Sequence, residues 1–221
     1  MRTKILFLAL SVTLLVRCND DTNLTPTEKI KTSVWVSIVD ASGNPVKDAQ
    51  VAIGEHTGLT DVDGNYFFSS VLGNTDMFLK AEKFGFFPGS RRFYPSKNKI
   101  EYVNINLLPY IEKGVFNTAS PVVITVDSKS SLTFPDIAVA HENGSLYSGE
   151  VHVMANSIYA DDPDLSKKMP GNLTGINDVG NSFVLGSYGM LAVELQDGSG
   201  QKLQITPGKF EDKPLGDRSL P

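Results

Sequence analysis

The chain is 221 residues long, 41% hydrophobic and 20% charged, with Lys+Arg 20 against Asp+Glu 25. That length holds one large domain or two small ones, and that composition excludes wholesale disorder. The acidic balance excludes the basic stripe of a nucleic-acid binder, and a single cysteine excludes an internal disulfide or a multi-cysteine zinc site.

In chain order, Arg2 and Lys4 form a short basic start, and Ile5 to Val16 follow as an apolar run broken only by Ser11 and Thr13. The run is shorter than the roughly 20 residues of a membrane-spanning helix and has no polar face, so it reads as the apolar part of an export signal. Leu15-Val16-Arg17-Cys18 resembles the bacterial lipoprotein signal, in which cleavage leaves an acylated cysteine at the new N-terminus; Arg17 stands where that signal has a small residue. The resemblance implies a leader over residues 1–17, lipidation at Cys18 and membrane attachment through acyl chains. Removal of Arg2, Lys4 and Arg17 takes Lys+Arg from 20 to 17 and the net charge from −5 to −8, so a basic patch does not supply the membrane contact. Asn19-Asp20-Asp21 resembles the surface-export tag of some Gram-negative lipoproteins, which implies the outer membrane and the cell surface, with the periplasmic face as the alternative. Residues 18–31 are polar and aperiodic, and read as a tether.

From residue 32 the pattern has period two. Val34, Val36 and Ile38 alternate with Trp35, Ser37 and Val39; Val51 and Ile53, Met77, Leu79 and Ala81, and Val103, Ile105 and Leu107 repeat the alternation. Ser42-Gly43-Asn44-Pro45 and Asp61 to Asn65 are turn sequences. About six short strands over residues 32–110 predict a small antiparallel sandwich. The residues Val39-Asp40-x-x-Gly43-x-Pro45-Val46-x-x-Ala49-x-Val51, Thr60-Asp61-x-Asp63-Gly64-x-Tyr66 and Gly85-Phe86 resemble the carboxypeptidase regulatory-like domain, with Ser37 where that family has glycine. The resemblance spans residues 34–108 and implies a prealbumin-like sandwich that serves as a non-catalytic module.

Leu108-Pro109 to Lys113-Gly114 reads as a separator, and a second period-two region covers 115–208. Val122, Ile124 and Val126, Leu132 and Phe134, Val151 and Val153, Phe183 and Leu185, Met190 to Leu195, and Leu203 and Ile205 are its strand candidates. Asn143-Gly144 and Asp197-Gly198 are hairpin signals. Asp162 and Pro163 suit the N-cap and first position of one helical turn. Leu132-Thr133-Phe134-Pro135, Tyr147-Ser148-Gly149-x-Val151-x-Val153, Asp162-Pro163, Met169-Pro170-Gly171-x-Leu173-Thr174 and Ser187-Tyr188-Gly189-Met190-x-x-Val193 resemble the astroprincin ectodomain family over residues 120–208. That resemblance implies tandem β domains in an extracellular setting. Residues 209–221 form a polar tail. The expected fold is therefore all-β, two tandem antiparallel β-sandwiches.

No nucleophile elbow, metal spacing or cofactor motif stands in the sequence, and an enzyme is not expected. Asp61-x-Asp63-Gly64-Asn65 has the start of a calcium loop but Leu72 where a bidentate acid belongs, so it reads as a turn. His56, His141 and His152 read as surface residues. The binding candidates are Arg91, Arg92, Phe93 and Tyr94 in the aromatic-rich stretch from Phe84, and Trp35, which lies opposite the Val34 and Val36 face. Trp35 suits either a sugar platform or packing between sheets. These features point to a lipid-anchored binding or adhesion module with carbohydrate as the first ligand; the alternative is an accessory subunit that docks by a sheet edge onto an outer-membrane protein complex.

Overall fold

The structure is a computed structural model and describes residues 29–135, 139–179 and 181–206. The leader, Cys18, all of the tether but its last three residues, and the tail lie outside the described residues. The fold is all-β, with one short helix among them.

The first half has seven strands: β1 Ile30–Asp40, β2 Gln50–Ile53, β3 His56–Leu59, β4 Asn65–Gly73, β5 Met77–Glu82, β6 Gly89–Phe93 and β7 Ile100–Leu107. They form two sheets, ordered β4-β1-β7 and β3-β2-β5-β6. The alternation read from the sequence decides what lies between them. Val34, Val36 and Ile38 of β1, Val103, Ile105 and Leu107 of β7, and Leu79 and Ala81 of β5 all face inward and are buried. One pairing departs from the antiparallel expectation: β1 and β7 run parallel, Trp35 beside Tyr102 and Ser37 beside Asn104. A parallel pair needs a long crossover, and the whole second sheet lies in the chain between these two strands.

The second half contains β8 Glu112–Asn117, β9 Val122–Thr125, β10 Ser131–Phe134, β11 Val139–His141, β12 Glu150–Tyr159, α1 Leu165–Lys168, β13 Thr174–Ile176, β14 Ser182–Val184, β15 Gly189–Gln196 and β16 Lys202–Ile205. A five-stranded sheet, β11-β16-β15-β12-β8, is covered by the β9–β10 hairpin. Ile124 and Phe134 of the hairpin bury against Phe116, Val151, Val153, Leu195 and Leu203, with Phe116 stacked on Phe134 at 4.8 Å. The stretch read as a separator already holds the start of β8, because Glu112 and Gly114 pair with β12.

A third cluster joins the halves. Phe87 and Leu108 from the first meet Ile158 from the second, with Tyr110, Leu165, Met169 and Met190 packed around them.

One turn recurs at the strand connections. In Asp40–Asn44, Asp61–Asn65 and Asp197–Gln201 the Asp Oδ1 accepts the N–H groups two and four residues on, at 2.8–2.9 Å. The fourth residue, Gly43, Gly64 or Gly200, has φ between +74° and +84°, a conformation that glycine takes without strain. Asn177 makes the same two side-chain bonds to residues 179 and 181. Asp61 thus spends an oxygen on its own loop.

Candidate functional site

The outward face of the β4-β1-β7 sheet carries an aromatic row. Strand register places Phe67 of β4 and Tyr102 of β7 on either side of Trp35. All three are solvent-exposed, at 42%, 74% and 41% respectively. Trp35 does not pack between the sheets, since its neighbours Val34 and Val36 occupy that side. The Trp35 and Phe67 rings lie 5.9 Å apart and tilted at 44°. With neighbouring strands about 4.8 Å apart, the row spans roughly 10 Å.

Two residues further along the strands, the same face becomes polar and uncharged. Asn65, Ser37 and Asn104 form the next row by the same registers. Beyond them a cavity of about 370 Å³ is lined by Ser37, Val39, Asn104, Asn106, Asp164 and Lys167, among others. Asp164 and Lys167 come from the second half. Lys167 Nζ donates to Asp164 Oδ1 at 2.9 Å, a pair with no net charge.

The local reason for the α1 position is Arg91. Strand alternation sends Arg91 and Phe93 to one side of β6 and Arg92 to the other, beside Phe78. The Arg91 guanidinium donates to the Lys167 carbonyl at 2.6 Å, to the Gly171 carbonyl at 2.7 Å, and to the Ser166 carbonyl. These three acceptors hold the α1 segment against the first sandwich, and burial pushes the guanidinium below its ordinary pKa. Arg92 instead pairs with Asp76 at 2.6 Å and lies between the Phe78 and Tyr94 rings, 5.8 and 5.4 Å from their centroids. Phe93 is buried in the first core. The four consecutive candidates therefore split between a clamp, a core position and an outer cation–π stack. Only the outer pair, Arg92 and Tyr94, shares a surface, and Trp35 lies in the other sheet.

The unpaired side of β6 is also covered. Gly171 N–H donates to the Ser90 carbonyl at 3.0 Å, Arg92 N–H donates to Asn172 Oδ1 at 3.1 Å, and Asn172 Nδ2 donates to the Arg92 carbonyl. A side-chain amide here does what a neighbouring strand's peptide would do.

The helix cap differs from the sequence expectation. α1 begins at Leu165 with Asp164 as its N-cap residue, and Asp164 makes no capping bond. Asp162 Oδ1 instead accepts from Asp164 N–H, and its other oxygen takes Lys168 Nζ at 2.7 Å. That pairing, with Lys168 foremost, holds the Asp162 carboxyl below the usual carboxylate range. Asp162 and Asp164 are thus each bound to a lysine. Among the described residues no group of three or more His, Cys, Asp or Glu side chains gathers for a metal ion. His152 Nδ1 lies 2.8 Å from Glu112 Oε2, while His141 packs edge-on against Tyr147.

No family model and no curated protein matches the chain. Among solved structures, a Bacteroides uniformis protein named "putative carbohydrate binding protein" matches at 12% identity, covering 76% of this chain and 80% of its own, with a TM-score of 0.29. That likeness is too slight to bear on the fold or the function of this chain.

Sequence reasoning found Trp35 but missed Phe67, Tyr102, Asn104 and Asn106. Their outward parity was readable, because Phe68 and Val103 beside them are core residues. Their places beside β1 were not, because Phe67 meets Trp35 through the β1–β4 register and Tyr102, Asn104 and Asn106 meet Trp35, Ser37 and Val39 through a β1–β7 register that joins residues more than 60 positions apart.

Proposed function

We propose that the chain is an exported, lipid-anchored binding module whose outward aromatic row takes carbohydrate. The observation that carries this reading is the Phe67–Trp35–Tyr102 row beside uncharged Asn65, Ser37 and Asn104. Flat aromatic faces offer stacking to the C–H face of a sugar ring, and neutral amides and hydroxyls bond to its hydroxyl groups without the desolvation cost of a charge. An exposed cluster of large aromatics is also costly to keep in water unless something covers it. Export and anchoring rest on the sequence alone: the apolar leader, Cys18, and the polar tether that would give the module reach. The regulatory-like and astroprincin resemblances fit a non-catalytic surface role.

The test uses the folded chain on a panel of soluble polysaccharides by affinity electrophoresis. Retardation by at least one glycan, lost in Trp35→Ala and Tyr102→Ala variants that retain their melting temperature, is expected. Indifference of the wild-type protein to every glycan, with co-purification of an outer-membrane protein, would replace this reading by the accessory-subunit one. For the anchor, Cys18→Ala should move the protein out of the membrane fraction, and unchanged fractionation would refute lipidation.

A further inference from the structure

The aromatic row is open on its outer side. By itself it touches one face of a sugar ring and cannot tell one sugar from another. Specificity has to come from groups that reach the ring's edge, and these lie along β1 and β7, toward α1. Trp35, Ser37 and Val39 of β1, and Tyr102, Asn104 and Asn106 of β7, all project from the same face, as the buried Val36, Ile38, Val103 and Ile105 between them require. From Trp35 to Val39 the distance along the strand is about 13 Å, longer than one sugar ring. The row therefore leads without interruption into the cavity of about 370 Å³ that Asp164 and Lys167 help to line.

Resting on the carbohydrate reading above, we propose that the row and the cavity are two ends of one cleft that takes an uncharged, linear oligosaccharide lying along β1 and β7. One unit stacks on Trp35 and Tyr102. The units that follow bond to Ser37, Asn104 and Asn106, and the far end meets the Asp164–Lys167 pair.

Three observations support this. The cleft walls are neutral in sum: Ser, Val and Asn side chains carry no charge, and Asp164 and Lys167 satisfy each other at 2.9 Å. An acidic sugar would find Asp164 as near as Lys167 and gain no net attraction. The pair sits on exposed side chains, so both groups keep bonding capacity toward solvent or a hydroxyl. Finally, the cavity exists only because both halves build it. Arg91 clamps the residues carrying Lys167 to the first sandwich, which gives the inter-half contact a role in recognition.

The experiment is calorimetric titration of the whole chain with ladders of one to six units. The neutral ladders are malto-, cello-, xylo-, manno- and laminari-oligosaccharides; the acidic one is oligogalacturonate. For at least one neutral ladder, affinity should rise tenfold or more between one and four units, then level off. The acidic ladder should not bind more tightly. Trp35→Ala should weaken every length. The double variant Asn104→Ala/Asn106→Ala, and Lys167→Ala separately, should weaken four units several-fold and leave one unit unchanged. Lys167 is exposed, so its removal leaves folding intact and keeps the test valid if the double variant is unstable. Length-independent binding, tighter binding of the acidic ladder, or far-end variants that bind four units normally would overturn the cleft while leaving the aromatic-row reading in place. No binding of any ladder by the wild-type protein, together with a silent polysaccharide panel, would overturn both.

Discussion

Arg91→Ala is the perturbation that most directly tests how the halves are held. It removes three charge-assisted hydrogen bonds at once, to the carbonyls of Ser166, Lys167 and Gly171. Such bonds contribute about 1.5–3 kcal/mol each in mutational series. The Ser166 and Lys167 contacts lie at exposed positions where water can replace the guanidinium, and only the Gly171 bond is partly buried. Counting the last in full and discounting the others heavily leaves a loss of about 3 kcal/mol. In a chain of this size each kcal/mol moves Tm by roughly 2–4 °C, so a fall of about 6–12 °C is expected. Differential scanning calorimetry reads the shift, and limited trypsin digestion reads the local effect, since release of α1 should speed cleavage after Lys167 and Lys168. Arg91→Lys should recover less than half of the loss, because one ammonium cannot reach three carbonyls laid out for a planar fork. A Tm within about 1 °C of wild type, with unaltered tryptic cleavage, would refute the clamp.

Other outcomes follow from the same structure. Thr60 is buried, its Oγ1 donating to the Val46 carbonyl at 2.6 Å and accepting from Ala49 N–H at 2.8 Å, so Thr60→Val strands two polar groups and should cost about 3 kcal/mol by denaturant unfolding. A Cβ on Gly64 would fall 2.3 Å from the Ile38 carbonyl oxygen, whereas one on Gly43, at similar φ, meets nothing within 4 Å. Gly64→Ala should therefore lower stability clearly more than Gly43→Ala, which incurs only the left-handed backbone cost of about 1–2 kcal/mol; equal effects would show that the close approach is unimportant. The Asp162 carboxyl is depressed in the folded state, so its contribution is present above its unfolded pKa of about 3.9 and is lost as pH falls through the lower folded value. Thermal melts from neutral pH downward should be flat until about pH 4, and Asp162→Asn should flatten the decline below that point; an unchanged acid limb would argue against the Lys168 pairing. A chelator should barely move Tm, since Asp61 Oδ1 already accepts two loop N–H groups, and a drop of several degrees would reveal a metal site.

The all-β class and most strands were legible because the inward residues repeat at period two with little interruption: Val34-x-Val36-x-Ile38 and Val103-x-Ile105-x-Leu107 name the core by themselves. β6 was not, because Gly89-Ser90-Arg91-Arg92 offers no apolar alternation; its partner β5 and the Asn172 amide make it a strand. β8 was hidden by Glu112, Lys113 and Gly114, which look like a linker until β12 lies beside them. Asp162 looked like a cap because Pro follows it, yet its oxygens are drawn to Asp164 N–H and to Lys168, a partner six residues on. In the site, Trp35 stood out as the chain's single tryptophan, but an aromatic row depends on cross-strand register, and no local pattern encodes a parallel pairing that spans the whole first half.

The place of β1 has a mechanical consequence. It is the central strand of its sheet, bonded to β4 on one side and β7 on the other along most of its length. Tension transmitted through the residues before Ile30 enters this strand first and runs along its axis, across its ladder bonds. Those bonds are then loaded together in shear instead of being unzipped one at a time. A pull from the N-terminal side would therefore have to break the β4 and β7 ladders together before β1 could leave the sheet.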